Sequence, residues 1–487
     1  MAHLWPILSA VVWLTLVLAV LSHLLRYRRR PESALLWLLV VMAFPFAGAI
    51  LYAMFGVTRV PRAKWLQADT RRAGLLHARE VQPRAYWLAT APHRAFPPDP
   101  WEAEVDRTFS ALTHDTPLLS GNLVTPLATG DEAFPEMLDA IAEARHHIHL
   151  QSFIIGNDAV GRAFLDALAQ KARGGVRVRV LYDRFGSSRA LWTGLFRRYA
   201  RVPNLSLAGW TQANFLRKQL QFNLRNHSKN LVVDGRIAFL GGINLTATER
   251  SSPGRPAIRD YHFRVLGPVV QQLQYSFLRD WHVMTGEDPA ELLSDAYFRN
   301  LPAAGAMLAR ATSTGPTASL HTAADLAFQA ITSARRSLLA VTPYFLPSDD
   351  LLRALRLAAI RGVAVDLLLP ARSNHPYTAW AARSTYDDLL AAGVRIHERR
   401  PPFIHAKAMI IDDQMSVIGS SNWDQRSLES NFETGLVVYG KSFAESLKAM
   451  AAPDLADSTR ITFDDFHARP RWHRYVENTA ALLAPLL

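Results

Sequence analysis

The sequence predicts an α/β protein built from two like halves that share one site, with an apolar helical hairpin in front. Three observations carry this. The pattern His-x-Lys-x4-Asp, followed after six residues by Gly-x-x-Asn, occurs twice: His227, Lys229, Asp234 with Gly241-Gly242-Ile243-Asn244, and His405, Lys407, Asp412 with Gly419-Ser420-Ser421-Asn422. Strand and helix signals alternate in the same order around each copy. Two long uncharged stretches stand at the N-terminus. The second motif begins 178 residues after the first. That is the scale of a duplicated domain, not of a solenoid with its period of roughly 20–50 residues.

A chain of 487 residues is long enough for two or three domains. With 49% apolar and 20% charged residues, long disorder is not expected. The absence of cysteine excludes disulfides, thiolate metal sites and cysteine nucleophiles. The net charge of +12 is uneven: residues 1–100 hold 12 Arg and Lys against 4 Asp and Glu. Such a bias suits a surface of anionic lipid. Nucleic acid would also suit a basic protein, so charge alone does not choose.

Residues 4–25 and 33–57 contain no Asp, Glu, Lys or Arg. Each reaches the about 20 apolar residues that span a bilayer core as a helix. The turn Arg26-Tyr27-Arg28-Arg29-Arg30-Pro31-Glu32 separates them. The expectation is a transmembrane hairpin over residues 1–58. The alternatives are a cleaved signal peptide and a buried core helix. Met1-Ala2-His3 lacks the basic residues of a signal peptide, and a second apolar run follows at once. Pro45 and Gly48 are tolerated in membrane helices, with a kinked or re-entrant second span as the variant reading. Arginines in the turn and basic residues from Arg59 to Arg72 both claim the inner side. The downstream count is slightly larger and favours a cytoplasmic catalytic portion. Residues 59–105, rich in Arg, Pro and Ala, read as a basic juxtamembrane linker or a solvated connector.

From residue 106 the halves run in parallel. In the first (106–295), residues 147–155 have strand character and 161–173 helical character, with Phe164, Leu165 and Leu168 on one side. Gly174-Gly175 ends the helix, and residues 176–181 alternate as a strand. In the second (296–487), residues 337–345 form a strand, 349–360 a helix, 363–369 a strand and 378–392 a helix, before Val394-Arg395-Ile396. This alternation argues α/β layers around a largely buried sheet.

On a strand, residues two apart share a face, which puts His227 beside Lys229 and His405 beside Lys407. Glycines at 241, 242 and 419 let the chain turn tightly and bring Asn244 and Asn422 back. If the halves pack face to face, two imidazoles, two ammoniums and two amides converge. That set fits phosphodiester chemistry. Lys and Asn bind the non-bridging oxygens and stabilise the five-coordinate transition state. One unprotonated His attacks phosphorus, giving a phosphohistidine, and the other protonates the leaving alkoxide. No metal or cofactor is needed. Asp234 and Asp412, five residues after their Lys, fall on the opposite face and are expected to support the strands, pairing with backbone or Lys. A lone His on an apolar strand is usually a satisfied core residue; two matched copies argue otherwise.

The paired motifs resemble the phospholipase D superfamily, and the wider context resembles bacterial cardiolipin synthases. Pro31-Glu32, Trp37, Pro45, Gly48, Leu51-Tyr52 and Phe55-Gly56 match in the N-terminal segment. Leu224-Arg225-Asn226-His227, Thr342-Pro343-Tyr344-Phe345, Asp424, Arg426-Ser427, Asn431-Phe432-Glu433 and Pro485-Leu486-Leu487 match further on. The resemblance implies two tandem phospholipase D-like domains with pseudo-two-fold symmetry and a shared active site, in a multi-pass protein of the bacterial inner membrane. It implies His227 as nucleophile and His405 as general acid, or the reverse, with a downstream carboxylate orienting each: Glu433 for His405 and Asp260 for His227. Ser228, Trp423 and Gln151 depart from the usual pattern and bear on substrate choice.

The reading is therefore a membrane-bound cardiolipin synthase that transfers a phosphatidyl group between two phosphatidylglycerols and releases glycerol. Phosphatidylethanolamine is an alternative lipid substrate. The rivals are a phospholipase D-type hydrolase, a nucleic-acid phosphodiesterase and a non-catalytic membrane scaffold. Nucleic acid is not expected, since a nuclease has no need of the apolar hairpin. Three weaker features remain. Residues 191–199 could be an interfacial helix, though packing on its own domain is the commoner outcome. Asn374-His375 borders the site or is an ordinary loop. His146-His147-x-His149 has no carboxylate cluster nearby to make a metal site.

Overall fold

The computed structural model describes residues 4–26, 31–53, 91–113, 116–210, 212–214, 219–221, 225–315 and 322–483. They form two compact units, divided along the chain as 1–63 with 211–224, and 64–210 with 225–487.

In the first unit, α1 (Leu4–Arg26), α2 (Pro31–Ala43) and α3 (Pro45–Leu51) pack around Val20, Leu24, Val41 and Tyr52. His23 Nδ1 lies 2.7 Å from the Tyr52 hydroxyl, and Trp37 meets that ring edge-on. Leu8, Leu14, Leu18, Leu35, Leu39 and Phe46 remain exposed. Among the described helices α1 alone is long and apolar enough to cross a membrane. At 1.5 Å per residue it reaches about 35 Å. The second apolar run is divided into α2 and α3, and neither part reaches that length. Pro45 lacks an N–H and biases the preceding residue out of helix. Phe44 accordingly sits at φ −127°, ψ 80°, and ends α2 after 13 residues. α3 then folds back so closely that a Cβ on Gly48 would stand 2.5 Å from Val40 O. Two short strands, Gln212–Asn214 and Gln219–Gln221, pair antiparallel.

The second unit is built on β1 (Leu119–Ala128), β2 (His147–Ser152), β3 (Arg177–Asp183), β4 (Leu205–Trp210), β5 (Asn230–Val233), β6 (Ile237–Gly241), β7 (Tyr261–Leu266), β8 (Met307–Thr314), β9 (Ser337–Val341), β10 (Ala364–Pro370), β11 (Arg395–Arg399), β12 (Ala408–Ile411), β13 (Met415–Gly419), β14 (Glu433–Tyr439) and β15 (Ser458–Ile461). They lie in one sheet, in the order β15-β11-β10-β9-β12-β13-β14-β8-β1-β7-β6-β5-β2-β3-β4. Read outward from the centre, the halves repeat: β1-β7-β6-β5-β2-β3-β4 and β8-β14-β13-β12-β9-β10-β11. They join where β1 and β8 pair antiparallel, Leu119 opposite Ala309. The inner β2, β3, β9 and β10 are largely buried, as strands covered on both faces are.

The helix after each inner hairpin crosses to the other half. In Val270–Thr285, Gln272 Oε1 accepts from Ala311 N at 2.8 Å. In Lys441–Ala456, Phe443 packs on Phe263 with ring centroids 6.1 Å apart. One apolar cluster thus holds Val232, Leu240 and Phe263 together with Val341, Leu368 and Leu447. The expected helix 161–173 starts two residues earlier, at Ala159, where Asp158 caps Val160 and Gly161. The strand expected over 337–345 stops at Val341 ahead of Pro343, and the helix over 378–392 is two helices, Pro376–Arg383 and Tyr386–Ala391.

Residues 54–90, most of the expected linker, lie outside the described residues. The linker's end is α4 (Pro100–Leu112), which Asp99 caps through Trp101 N and Glu102 N. α4 straddles the boundary expected at 105 and packs in the second half's core. Trp101 Nε1 donates to Ser333 O at 3.0 Å, and buried Arg310 grips both Asp106 oxygens at 2.9 Å.

Asp234 and Asp412 close the turns after β5 and β12 in left-handed backbone, φ 52° and 53°. Each carboxylate accepts from three successive backbone N–H groups. For Asp234 these are Arg145, His146 and His147 at 2.8, 2.8 and 2.9 Å. For Asp412 they are Arg335, Arg336 and Ser337 at 2.9, 2.7 and 2.8 Å. Burial raises the Asp234 pKa, but these donors more than offset it and hold the group below its ordinary value. Its stabilisation is therefore complete above the ordinary carboxylate range and is lost as the pH falls through the lowered native value. Asn tolerates the left-handed backbone but turns an NH2 toward one of the donors. Asp234→Asn should cost about 2 kcal/mol, read as a lowered melting temperature in detergent at neutral pH.

Candidate active site

The histidines do not lie within strands, as the residue spacing suggested. β5 starts at Asn230 and β12 at Ala408, and residues 227–229 and 405–407 run just ahead of them. Their backbones pair with the opposite half instead. His227 N donates to Phe432 O at 2.9 Å, and Phe432 N to Arg225 O at 2.9 Å. By the same geometry His405 N donates to Arg259 O at 2.7 Å, and Arg259 N to Phe403 O at 2.9 Å. The residue after each partner is a carboxylate. Glu433 therefore meets His227, with Nδ1 3.1 Å from both oxygens. Asp260 meets His405, with Nδ1 2.7 Å from Oδ2. The expected assignment, Glu433 to His405 and Asp260 to His227, is thus corrected: each carboxylate serves the histidine of the other half, because the backbone crossing delivers it there.

The two pairs differ in reach. Gly242 leaves room for Asp260: a Cβ there would stand 2.1 Å from Oδ1. At the matching place Ser420 donates its hydroxyl to Glu433 Oε2 at 2.5 Å, and Asn431 Nδ2 donates to Oε1 at 3.3 Å. Lys229 Nζ reaches back to His227 O at 2.6 Å, and Lys407 Nζ to His405 O, standing also 2.9 Å from His405 Nδ1. Phe153 meets His227 edge-on at 4.9 Å, and Tyr344 meets His405 edge-on at 6.1 Å.

Burial dominates the electrostatics. It holds His227 well below its ordinary pKa, helped by Lys229 and Lys407. It takes His405 down to about 4, with Lys407 adding and Asp260 opposing. It takes Lys229 to about 7 and Lys407 to about 8. Glu433 is pushed up to about 7 by burial against the pull of Lys229. Asp260 feels the same burial, but Lys407 and His405 outweigh it and keep its pKa low.

His227, Lys229, Asp260, His405, Lys407 and Glu433 thus form one buried cluster. Asn244 stands beside it, its Oδ1 accepting from Ile154 N at 3.3 Å, and Asn422 Oδ1 is buried with no hydrogen-bond partner among the described residues. Asp234 and Asp412 are not in the cluster; they sit at the far ends of β5 and β12. Sequence reasoning missed Glu249. It is 2% exposed, accepts from Asn244 N at 3.3 Å, and is pushed up to about 8 by burial and by Asp260. It also gave Ser420 and Asn431 no role, although both stand in segments it singled out.

The departures from the family pattern are supports. Ser228 Oγ accepts from Thr434 Oγ1 at 3.0 Å across the halves, Gln151 donates to Asp280 at 3.0 Å, and Trp423 is buried against Phe345. His147 and His149 share Gln274, at 3.1 Å each, and burial lowers both. Residues 191–199 pack through Leu195, Phe196 and Tyr199 on their own half and leave Trp192 85% exposed. Asn374 does border the site, accepting from the Tyr344 hydroxyl at 2.7 Å.

Two halves of one phospholipase D-like sheet, each lending a histidine to the other's carboxylate, define the class. The family described as "Cardiolipin synthase, PLD-like domain" matches residues 137–281 and 327–453, and the chain belongs to it. Residues 15–56 match "Phospholipase_D-nuclease N-terminal". A cardiolipin synthase of Geobacillus thermodenitrificans is 33% identical over 469 residues, covering 94% of this chain and 90% of that one. The major cardiolipin synthase ClsA of Bacillus subtilis is 30% identical over 486 residues, covering 99% of each. Among solved structures, a phosphatidylserine synthase of Haemophilus influenzae shares the fold, with TM-score 0.61 and 13% identity over 79% of this chain and 98% of that one.

An anion entering between Lys229 and Lys407 favours their charged forms. Free ammoniums near about 7 and about 8 lose charge as the pH rises through those values. Sulfate, ionised throughout, should bind progressively more weakly from pH 6 to pH 9, as measured by calorimetry on the detergent-solubilised chain.

Proposed function

We propose that the chain is a membrane-bound phosphatidyltransferase that makes cardiolipin and glycerol from two phosphatidylglycerols. The observation that carries this is the buried cluster itself: two histidines, each held at Nδ1 by a carboxylate of the other half, with a lysine against each. The family and the curated relatives support phospholipid as substrate. The apolar α1 supports attachment to the bilayer of a bacterial cell membrane.

His227 Nε2 attacks the phosphorus of the first lipid. The P–N bond forms as the P–O bond to glycerol breaks, and His405 gives its proton to the departing oxygen. The terminal hydroxyl of the second lipid then loses its proton to His405 and attacks phosphorus, and the P–N bond breaks. Lys229, Lys407, Asn244 and Asn422 hold the non-bridging oxygens and stabilise the charge of each transition state. The asymmetry of the carboxylates supports this assignment. Low-pKa Asp260 favours a proton on His405, whereas Glu433, near about 7, gives His227 less support for one. Residues 106–295 and 296–487 would each be one domain of the pair, and the basic residues from Arg59 to Arg72 support a cytoplasmic placement.

With phosphatidylglycerol as sole lipid, mass spectrometry should find cardiolipin and glycerol from the intact chain and neither from His227→Ala or His405→Ala. Phosphatidic acid in place of cardiolipin would make it a hydrolase. Gly242→Ser, which crowds Asp260 away from His405, should lower turnover about a hundredfold while the fold survives by circular dichroism.

A further inference from the structure

The two halves match in backbone but not in what they place beside the histidines. After β2, Ser152 Oγ donates to Ile154 O at 3.0 Å; after β9, Thr342 Oγ1 donates to Tyr344 O at 3.1 Å. Ile154 and Tyr344 are therefore equivalent positions. So are Arg225 and Phe403, each two residues ahead of its histidine. At these two positions only the His405 side carries a hydroxyl, that of Tyr344.

Tyr344 is fixed there. Its ring stands edge-on to His405, 6.1 Å away at 76°, and its hydroxyl donates to Asn374 Oδ1 at 2.7 Å. Asn374 is exposed, in the loop between β10 and the helix Pro376–Arg383. Among the described residues, the lone pairs of the Tyr344 oxygen and the N–H groups of the Asn374 amide have no protein partner. Burial raises the phenol further above its ordinary pKa, so it stays protonated.

In an in-line displacement the alcohol leaves on the side opposite the attacking histidine, and the second alcohol returns by the same path. We propose that Tyr344 and Asn374 form the alcohol subsite, binding the glycerol head group that leaves beside His405 and the one that attacks from there. This rests on the phosphatidyl-transfer reading above. A glycerol head group carries two neighbouring hydroxyls. While one faces His405, the other donates to the Tyr344 oxygen or accepts from the Asn374 amide. Water has no second hydroxyl, so the subsite favours transfer over hydrolysis.

The test uses the full chain in mixed micelles of detergent and phosphatidylglycerol, with labelled free glycerol. Exchange of label into the lipid, and the ratio of cardiolipin to phosphatidic acid, are followed together. Tyr344→Phe keeps the ring, and Asn374→Leu changes an exposed side chain. In each, the transfer-to-hydrolysis ratio should fall about tenfold and the KM for glycerol should rise by a similar factor. The pH profile should stay in place, since His405 and Asp260 are untouched. If transfer and hydrolysis fall together, or neither changes in either variant, the subsite is overturned while the transfer reading stands. If the unaltered chain neither exchanges glycerol nor makes cardiolipin, the transfer reading fails and the subsite with it.

Discussion

Two backbone crossings hold this site together: His227 to Phe432 and His405 to Arg259. Each fixes a histidine by its own peptide N–H and, one residue on, sets a carboxylate of the other half against the imidazole. Neither half can make a working histidine by itself. The shared apolar cluster and the two crossing helices press the halves together over a wide area, and the crossings turn that pressure into registry at the imidazoles. A one-residue slip at either crossing would carry Glu433 or Asp260 to the wrong side of the chain.

Six ionisable groups are buried in one place, and such burial is costly unless charges are paired. The cluster meets this by keeping few full charges. Both histidines are held neutral, Glu433 sits near about 7, and the lysines lie near about 7 and about 8. Removing one partner of a buried pair costs roughly 3–5 kcal/mol, which is why the supports extend outward to Ser420, Asn431 and Asn244. A phosphodiester supplies the missing negative charge. Its arrival strengthens the ammoniums that bind it and favours a proton on His405, so binding itself readies the acid.

Much of this was legible in the sequence because it depends on local pattern. The duplicated motif, the strand–helix order and the two histidines and two lysines of the buried cluster follow from residue types at fixed spacing, and the family resemblance added Asp260 and Glu433. What sequence reasoning got wrong depends on long-range geometry. The family resemblance set Glu433 with His405 and Asp260 with His227, and only the backbone crossing shows the exchange. Glu249 carried no signal, since a glutamate in Thr246-Ala247-Thr248-Glu249-Arg250 reads as an ordinary surface residue until the fold buries it. Composition shows the second apolar run as one stretch, while the missing donor at Pro45 divides it into α2 and α3. α4 was hidden in a stretch rich in proline, where Asp99-Pro100 is in fact a helix start.

Duplication gives a site two of everything, yet the proposed chemistry needs two unlike histidines. The chain resolves this in side chains, leaving the backbone symmetric. Asp260 opposite Gly242 is a short carboxylate that Lys407 and His405 hold low; Glu433 opposite Ser420 is a longer one in which burial wins. Tyr344 stands where the other half has Ile154, and Phe403 where it has Arg225. Each difference is a single residue type on a shared frame. Each stands in space beside a histidine or its carboxylate. Changing the frame would break the crossings and lose both histidines. Changing a side chain beside the frame distinguishes one histidine from the other at no such cost, and that is where the two halves differ.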